Sequence, residues 1–236
     1  ASKRGDVTIN DRKADVKIAL QHGDVTLNDV AGAVNISLQK GSVRASKIAG
    51  DLDVEGHIDN VTIDEVAGAV HLNGDFFDDI RLSKIAKTVT FKSSRSDMQI
   101  ASVPGDLEIA GDEVRGSDLS GPVRLITRSK DIHIENVSGD LQLETTNGDI
   151  EVHAADKLPL GRISISSKRG DISLVLPSKA GFQVQANTSK GDITSEFDAV
   201  KIDESKGSAR ASGAVGNGVS KLQISTDTGD IRITKG

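Results

Sequence analysis

The run Gly-Asp-Val-Thr-Ile-Asn-Asp that begins at Gly5 returns at Gly23 with one leucine changed in, eighteen residues later, and again in weaker form at Gly41. A second series runs half a period out of phase, from Ala14, Gly32, Gly50 and Gly68. Each unit carries an apolar-x-apolar triplet, the period-two mark of a short strand with one buried face. The first series supplies Val7/Ile9, Val25/Leu27, Val61/Ile63, Ile80/Leu82, Met98/Ile100, Ile132/Ile134, Ile150/Val152 and Ile172/Leu174. The second supplies Val16/Ile18, Val34/Ile36, Leu52/Val54, Val70/Leu72, Val89/Phe91, Leu107/Ile109, Val123/Leu125, Leu141/Leu143 and Ile163/Ile165. A third column holds one apolar residue per repeat: Val30, Ile48, Val66, Ile85, Val103, Leu119 and Val137.

Strands this short cannot bury a face alone, so the repeats must stack. In-register stacking predicts an all-β chain folded as a parallel β-solenoid with coils of roughly 18 residues. Roughly eleven coils at about 4.8 Å each would make a rod about 50 Å long. An antiparallel sandwich would instead require hairpin spacing and would keep no long-range register. Residues 1–236 are expected to form a single domain, with regular coils over 1–153 and longer, less regular coils over 154–236. Two departures mark the second part. Ala-Ala-Asp-Lys-Leu-Pro-Leu-Gly-Arg, from Ala154 to Arg162, predicts a bulging loop, and the polar stretch from about Asp198 to Gly218 predicts a C-terminal cap over an open strand edge. The chain starts inside a repeat, so upstream sequence or a short N-terminal segment is expected over the first coil.

Composition narrows the function. The net charge of −6 is carried by interspersed residues, which disfavours nucleic acid or an anionic membrane as partner. No stretch approaches the ~20 apolar residues of a membrane span, so direct membrane insertion by this segment is not expected. Cysteine, tryptophan and tyrosine are absent, and five phenylalanines are the only aromatics. Thiol chemistry is excluded, and stacking platforms for sugars or bases are disfavoured.

Ser-Lys-Arg-Gly-Asp occurs twice, at Ser2 and at Ser167. Arg169, Gly170 and Asp171 are therefore the candidate binding residues, as an adhesion triplet. Gly-Asp recurs, however, at eleven places with a variable residue ahead of it. The dipeptide is read as a corner, with glycine allowing a positive φ and Asp bonding the backbone as it enters the strand.

No catalytic, cofactor or metal residues are assigned. His133 and His153 are expected to face outward near Glu135 and Glu151, a weak zinc possibility without helical ligand spacing. Corner aspartates such as Asp140, Asp149, Asp171 and Asp192 could gather into an acidic edge with weak calcium affinity, although no Gly-Gly pair of a calcium-binding roll exists. The paired acids Asp78/Asp79 and Asp112/Glu113 lie at expected corners, and no nucleophile-elbow or phosphate-loop motif accompanies them. The chain is read as non-enzymatic; a β-helical polysaccharide-active enzyme is the weaker alternative.

The run from Leu176 to Phe197, followed by Lys-Leu-Gln-Ile-Ser-Thr-Asp-Thr-Gly-Asp-Ile-Arg-Ile from Lys221, resembles a bacterial adhesin family of β-strand-repeat proteins, related to head-domain repeats of the GIN type. The resemblance covers most of the chain and is strongest from about Ser138 onward. It implies a right-handed parallel β-helix and an extracytoplasmic place in the cell envelope or at the surface. On that basis the chain is expected to be a structural or binding module, with an unknown protein or cell-surface ligand as partner. It would be monomeric or self-associate end to end; a filament-forming scaffold is the alternative function.

Overall fold

The computed structural model describes residues 2–155 and 160–236, and every regular element in them is a β-strand. Contacts divide the chain into two compact units, Ala1–Gly111 and Asp112–Gly236. Both are built from parallel stacked coils about 18 residues apart, which makes the fold a β-solenoid; the coils number about nine, fewer than the repeat count suggests.

The first unit holds β1 (Ser2–Arg4), β2 (Val7–Arg12), β3 (Val16–His22), β4 (Val25–Val30), β5 (Val34–Leu38) and β6 (Val43–Ile48). It continues with β7 (Leu52–Ile58), β8 (Val61–Val66), β9 (Val70–Phe76), β10 (Ile80–Ile85), β11 (Val89–Lys92) and β12 (Ser96–Ala110). Odd strands β1 to β11 form one parallel sheet, and even strands β2 to β10 form the other. Pairing joins equivalent residues, as in Val16↔Val34 and Val25↔Val43. From β3 to β11 the apolar residues of each triplet point inward and are buried, and the third column, Val30 to Val103, fills the remaining side.

β12 departs from this plan. After a turn closed by the Ser93 N–H to Ser96 carbonyl bond at 2.9 Å, the chain reverses. The first half of β12 runs antiparallel to β11, pairing Val89 with Ile100 and Phe91 with Met98. Its second half runs antiparallel to β10, pairing Ile80 with Ile109 and Leu82 with Leu107. The two triplets therefore exchange columns relative to the repeat series. An apolar-x-apolar triplet reads the same in both directions, so periodicity alone does not distinguish the two senses. The exchange places Glu108, rather than Gln99, beside Arg81, whose guanidinium pairs with Glu108 at 2.8 Å and Asp79 at 2.9 Å.

The second unit begins with β13 (Glu113–Ser117), β14 (Ser120–Thr127), β15 (Asp131–Val137), β16 (Gly139–Asn147), β17 (Ile150–Ala154), β18 (Leu160–Arg169) and β19 (Ile172–Leu176). These stack in sequence order, β13–β15–β17–β19 and β14–β16–β18. The middle of the expected loop, residues 156–159, lies outside the described residues. Then follow β20 (Phe182–Thr188), β21 (Ile193–Ser195), β22 (Val200–Ser205), β23 (Ser208–Val215), β24 (Ser220–Thr228) and β25 (Ile231–Lys235).

Sequence order is abandoned here. β18 pairs with β24 and β19 with β25, while β20 and β21 dock on the far side of β24 and β25. The C-terminal coil is thus interposed between two coils that precede it in the chain. β23 then runs antiparallel along β20, and β22 antiparallel along β23. The polar stretch foreseen as a cap is this hairpin. Interposition is allowed because Leu222, Ile224, Ile231 and Ile233 bring the same apolar columns, all essentially buried.

Candidate functional site

The Gly-Asp corner decides how the adhesion-like triplet is presented. At the corners of Gly23, Gly41, Gly148, Gly170, Gly191 and Gly229 the backbone N–H of the residue after glycine points along the stack and needs an acceptor, whereas Gly74 and Gly105, also expected as corners, lie inside β9 and β12. The Asp side chain of the neighbouring coil provides it. Asp149 Oδ1 accepts from the Asp171 N–H at 2.8 Å, and Asp171 Oδ1 accepts from the Asp230 N–H at 2.8 Å. Asp131 to Asp149 and Asp230 to Asp192 repeat the contact, as do Asp6 to Asp24 and Asp24 to Ser42 in the first unit. The expected bond to the aspartate's own strand is therefore replaced by a bond to the next coil. Like all inter-strand contacts, it exploits a spacing of about 4.8 Å that a short carboxylate can reach.

Gly170 has φ +145° in this corner, and an added Cβ would lie 2.0 Å from the Gly148 carbonyl oxygen. Gly50, at the other corner column, has no such φ, yet a Cβ there would meet Gly32 backbone at 2.6 Å. Close approach of coils, rather than φ alone, thus accounts for glycine at both corners. Arg169 is exposed and its Nε–H donates to Asn147 Oδ1 at 2.6 Å. The structure brings Arg169, Gly170 and Asp171 together at the surface, with one carboxylate oxygen of Asp171 committed to the fold.

A further column went unread in the sequence. Thr145, Ser167, Thr226 and Thr188 each stand three residues before a corner glycine, and all are buried. Their hydroxyls donate to corner carbonyls: Ser167 to Gly148 at 3.3 Å, Thr226 to Gly170 at 3.1 Å and Thr188 to Gly229 at 2.8 Å. The available signal was the spacing Ser/Thr-x-x-Gly-Asp, which Ser-Lys-Arg-Gly-Asp at Ser167 satisfies. Serine is the structural rung there, and the lysine and arginine are the two free positions.

On the outer face of β15 and β17 the expected histidines do meet. His133 lies in register with Glu151, and Glu135 with His153. His133 Nδ1 is 3.0 Å from Glu151 Oε2, its Nε2 is 3.1 Å from Glu135 Oε1, and His153 Nε2 is 3.0 Å from Glu151 Oε1. Both nitrogens of His133 face carboxylates, which only the protonated ring satisfies as a donor. Burial disfavours that charged ring, but the hydrogen bonds to Glu135 and Glu151 outweigh it and raise the His133 pKa. Burial likewise opposes the Glu151 anion, and the bonds from His153 and His133 outweigh it, lowering the Glu151 pKa. The patch is chemically a proton-holding network. Among the described residues no group of three or more His, Asp or Glu is arranged to hold a metal ion.

Asp149, Asp171 and Asp192 stand in one column of corner aspartates with Asp131 and Asp230, while Asp140 belongs to the other corner, where it accepts from the Arg162 N–H at 2.8 Å. Asp79 pairs with Arg81, and Glu113 with Arg115 at 2.7 Å. Asp78 Oδ2 receives a long contact of 3.5 Å from the Asn60 side chain. Among the described residues no helix is long and apolar enough to cross a membrane.

The profile of one protein family, described as Toastrack DUF4097, matches residues 50–234. No curated protein and no solved structure matches the chain.

Proposed function

The chain belongs to the Toastrack DUF4097 family, and from that premise we propose that it is a non-enzymatic binding module of the bacterial cell envelope, displayed outside the cytoplasm and acting as an adhesin. A Toastrack β-solenoid is suited to a structural or binding part, since ladders of outward side chains offer a regular polar surface on a rigid frame. Fold does not dictate function, so the reading leans on the outward side chains and the edges.

The observation that carries it is the treatment of the exposed edge in the second unit. β22 is the outermost strand of the hairpin, and after Val200 every residue to Ser205 is exposed, including Lys201, Asp203 and Glu204. Charged side chains on an edge strand oppose pairing with another sheet. That supports a module which meets other surfaces through its faces, over a scaffold that grows end to end. Analytical ultracentrifugation and negative-stain microscopy of the purified chain test the choice. A monomer that attaches to envelope preparations is expected, and concentration-dependent filaments would overturn the reading.

A further inference from the structure

One patch of outer sheet face differs from the rest. Across β18, β24, β20 and β23 the register aligns Ser164, Gln223, Gln185 and Ser212 in one row. Ser166, Ser225, Asn187 and Arg210 form the adjacent row. Within these four strands the rows contain no carboxylate and one cation, and the nearest carboxylates in register stand at their margins, Glu144 on β16 beside Ser166 and Asp203 on β22 beside Arg210; the same kind of face in the first unit carries Lys17, Asp53 and Glu55 within it. Two adjoining concavities open on the patch, of about 660 and 240 Å³, and they share Gln185 and Asn187. Their combined length spans the four strands.

The polar groups here are available. Gln185 and Gln223 are in-register neighbours, yet among the described residues no hydrogen bond of theirs or of Asn187 ties the amides to other side chains; the bond within the rows is Ser225 to Ser166 at 3.3 Å. Arg210 is exposed and forms no ion pair with Asp203, its neighbour on β22.

The chemistry selects the occupant. A lining of hydroxyls and amides without aromatic or large apolar side chains does not suit an apolar ligand. A single guanidinium does not suit a polyphosphate or nucleic acid. Donors and acceptors repeating at the strand spacing of about 4.8 Å match a chain of pyranose rings laid across the strands, each presenting hydroxyls at a similar interval. The free guanidinium supplies a two-pronged contact for a carboxylate. We propose that this groove binds a linear oligosaccharide containing uronic acid, with Gln185, Asn187 and Gln223 on the sugar hydroxyls and Arg210 on a carboxylate. The proposal deepens the binding-module reading and rests on it.

Amide-resolved NMR titration of the purified chain with a linear tetrauronic acid, and with neutral cellotetraose, tests it. Saturable shifts confined to β18, β24, β20 and β23 are expected for the uronate, with weaker binding of the neutral sugar. Gln185→Ala combined with Gln223→Ala should weaken binding about tenfold or more. Arg210→Gln should leave the fold intact and make the two sugars bind alike. Shifts elsewhere, no saturation, or unchanged binding in the double variant would overturn the groove. Attachment of the double variant to envelope preparations at the native level would reject the groove while the binding-module reading stands. Failure of native protein to attach, with the titration positive, would reject the module reading alone.

Discussion

Asp171 accepts the backbone N–H of Asp230 at 2.8 Å although 59 residues separate them in the chain. The bond locates the C-terminal coil against β18 and β19 and commits the aspartate of the adhesion-like triplet to the stack. Asp171→Ala should therefore orphan the Asp230 N–H and cost about 1 kcal/mol, while Asp171→Asn keeps an acceptor and costs less. Urea denaturation of both variants checks the order.

Neighbouring positions of the same corner should respond very differently. Arg169→Ala removes an exposed bond to Asn147 and should change stability by less than about 1 kcal/mol. Gly170→Ala forces a Cβ to within 2.0 Å of the Gly148 oxygen at φ +145°, and should destabilise by several-fold more. Equal denaturation midpoints for the two variants would contradict the corner geometry. Loss of cell attachment in Arg169→Ala, with stability unchanged, would instead give the triplet a binding role.

The threonine column offers a paired test of opposite sign. Thr127 Oγ1 is buried and has no hydrogen-bond partner among the described residues, whereas Thr145 donates to the Lys130 and Asn147 carbonyls at 3.3 and 3.2 Å. Thr127→Val should raise stability by about 1 kcal/mol, and Thr145→Val should lower it by a similar amount. Calorimetry of the two variants reads the signs directly.

A raised His133 pKa and a lowered Glu151 pKa set a pH window. The histidine contribution is fully present below its unfolded value of 6.5 and is lost as pH rises through the higher folded value. The glutamate contribution is present above its unfolded value of 4.5 and is lost as pH falls through the lower folded value. The patch should thus stabilise most between those two ordinary values, and less on either side. His133→Gln should flatten the alkaline limb of a pH series of urea midpoints; an unchanged limb would show that the network does not hold its proton.

Much of this organisation was legible in the residues. Val25, Leu27 and their counterparts mark inward columns because burial on one face enforces alternation, and the corner glycines mark the turns. Partner choice was less visible. Met98/Ile100 and Leu107/Ile109 satisfy the pattern in either strand direction, so the reversal at Ser93 to Ser96 exchanged their columns unseen. Likewise, Leu222 and Ile224 suit any coil, and their place beside Ile163 and Ile165 is decided by stacking rather than by chain order. The histidine patch was foreseen from outward alternation. The groove was not, because it is assembled from three separated segments and a hairpin, and no local spacing joins Ser166, Asn187 and Arg210.

The interposed coil governs the order of the whole second unit, and the absence of cysteine makes it directly measurable. Ser166 lies in register with Ser225, their hydroxyls 3.3 Å apart, while Asn187 lies beyond Ser225 on the next strand. Coils stacked in chain order would instead set Asn187 beside Ser166. Under mild oxidation, the variant Ser166→Cys/Ser225→Cys should form an intramolecular disulfide, and Ser166→Cys/Asn187→Cys should not, because two strand spacings of about 4.8 Å exceed disulfide reach. Efficient cross-linking of the second pair and not the first would contradict the interposed coil.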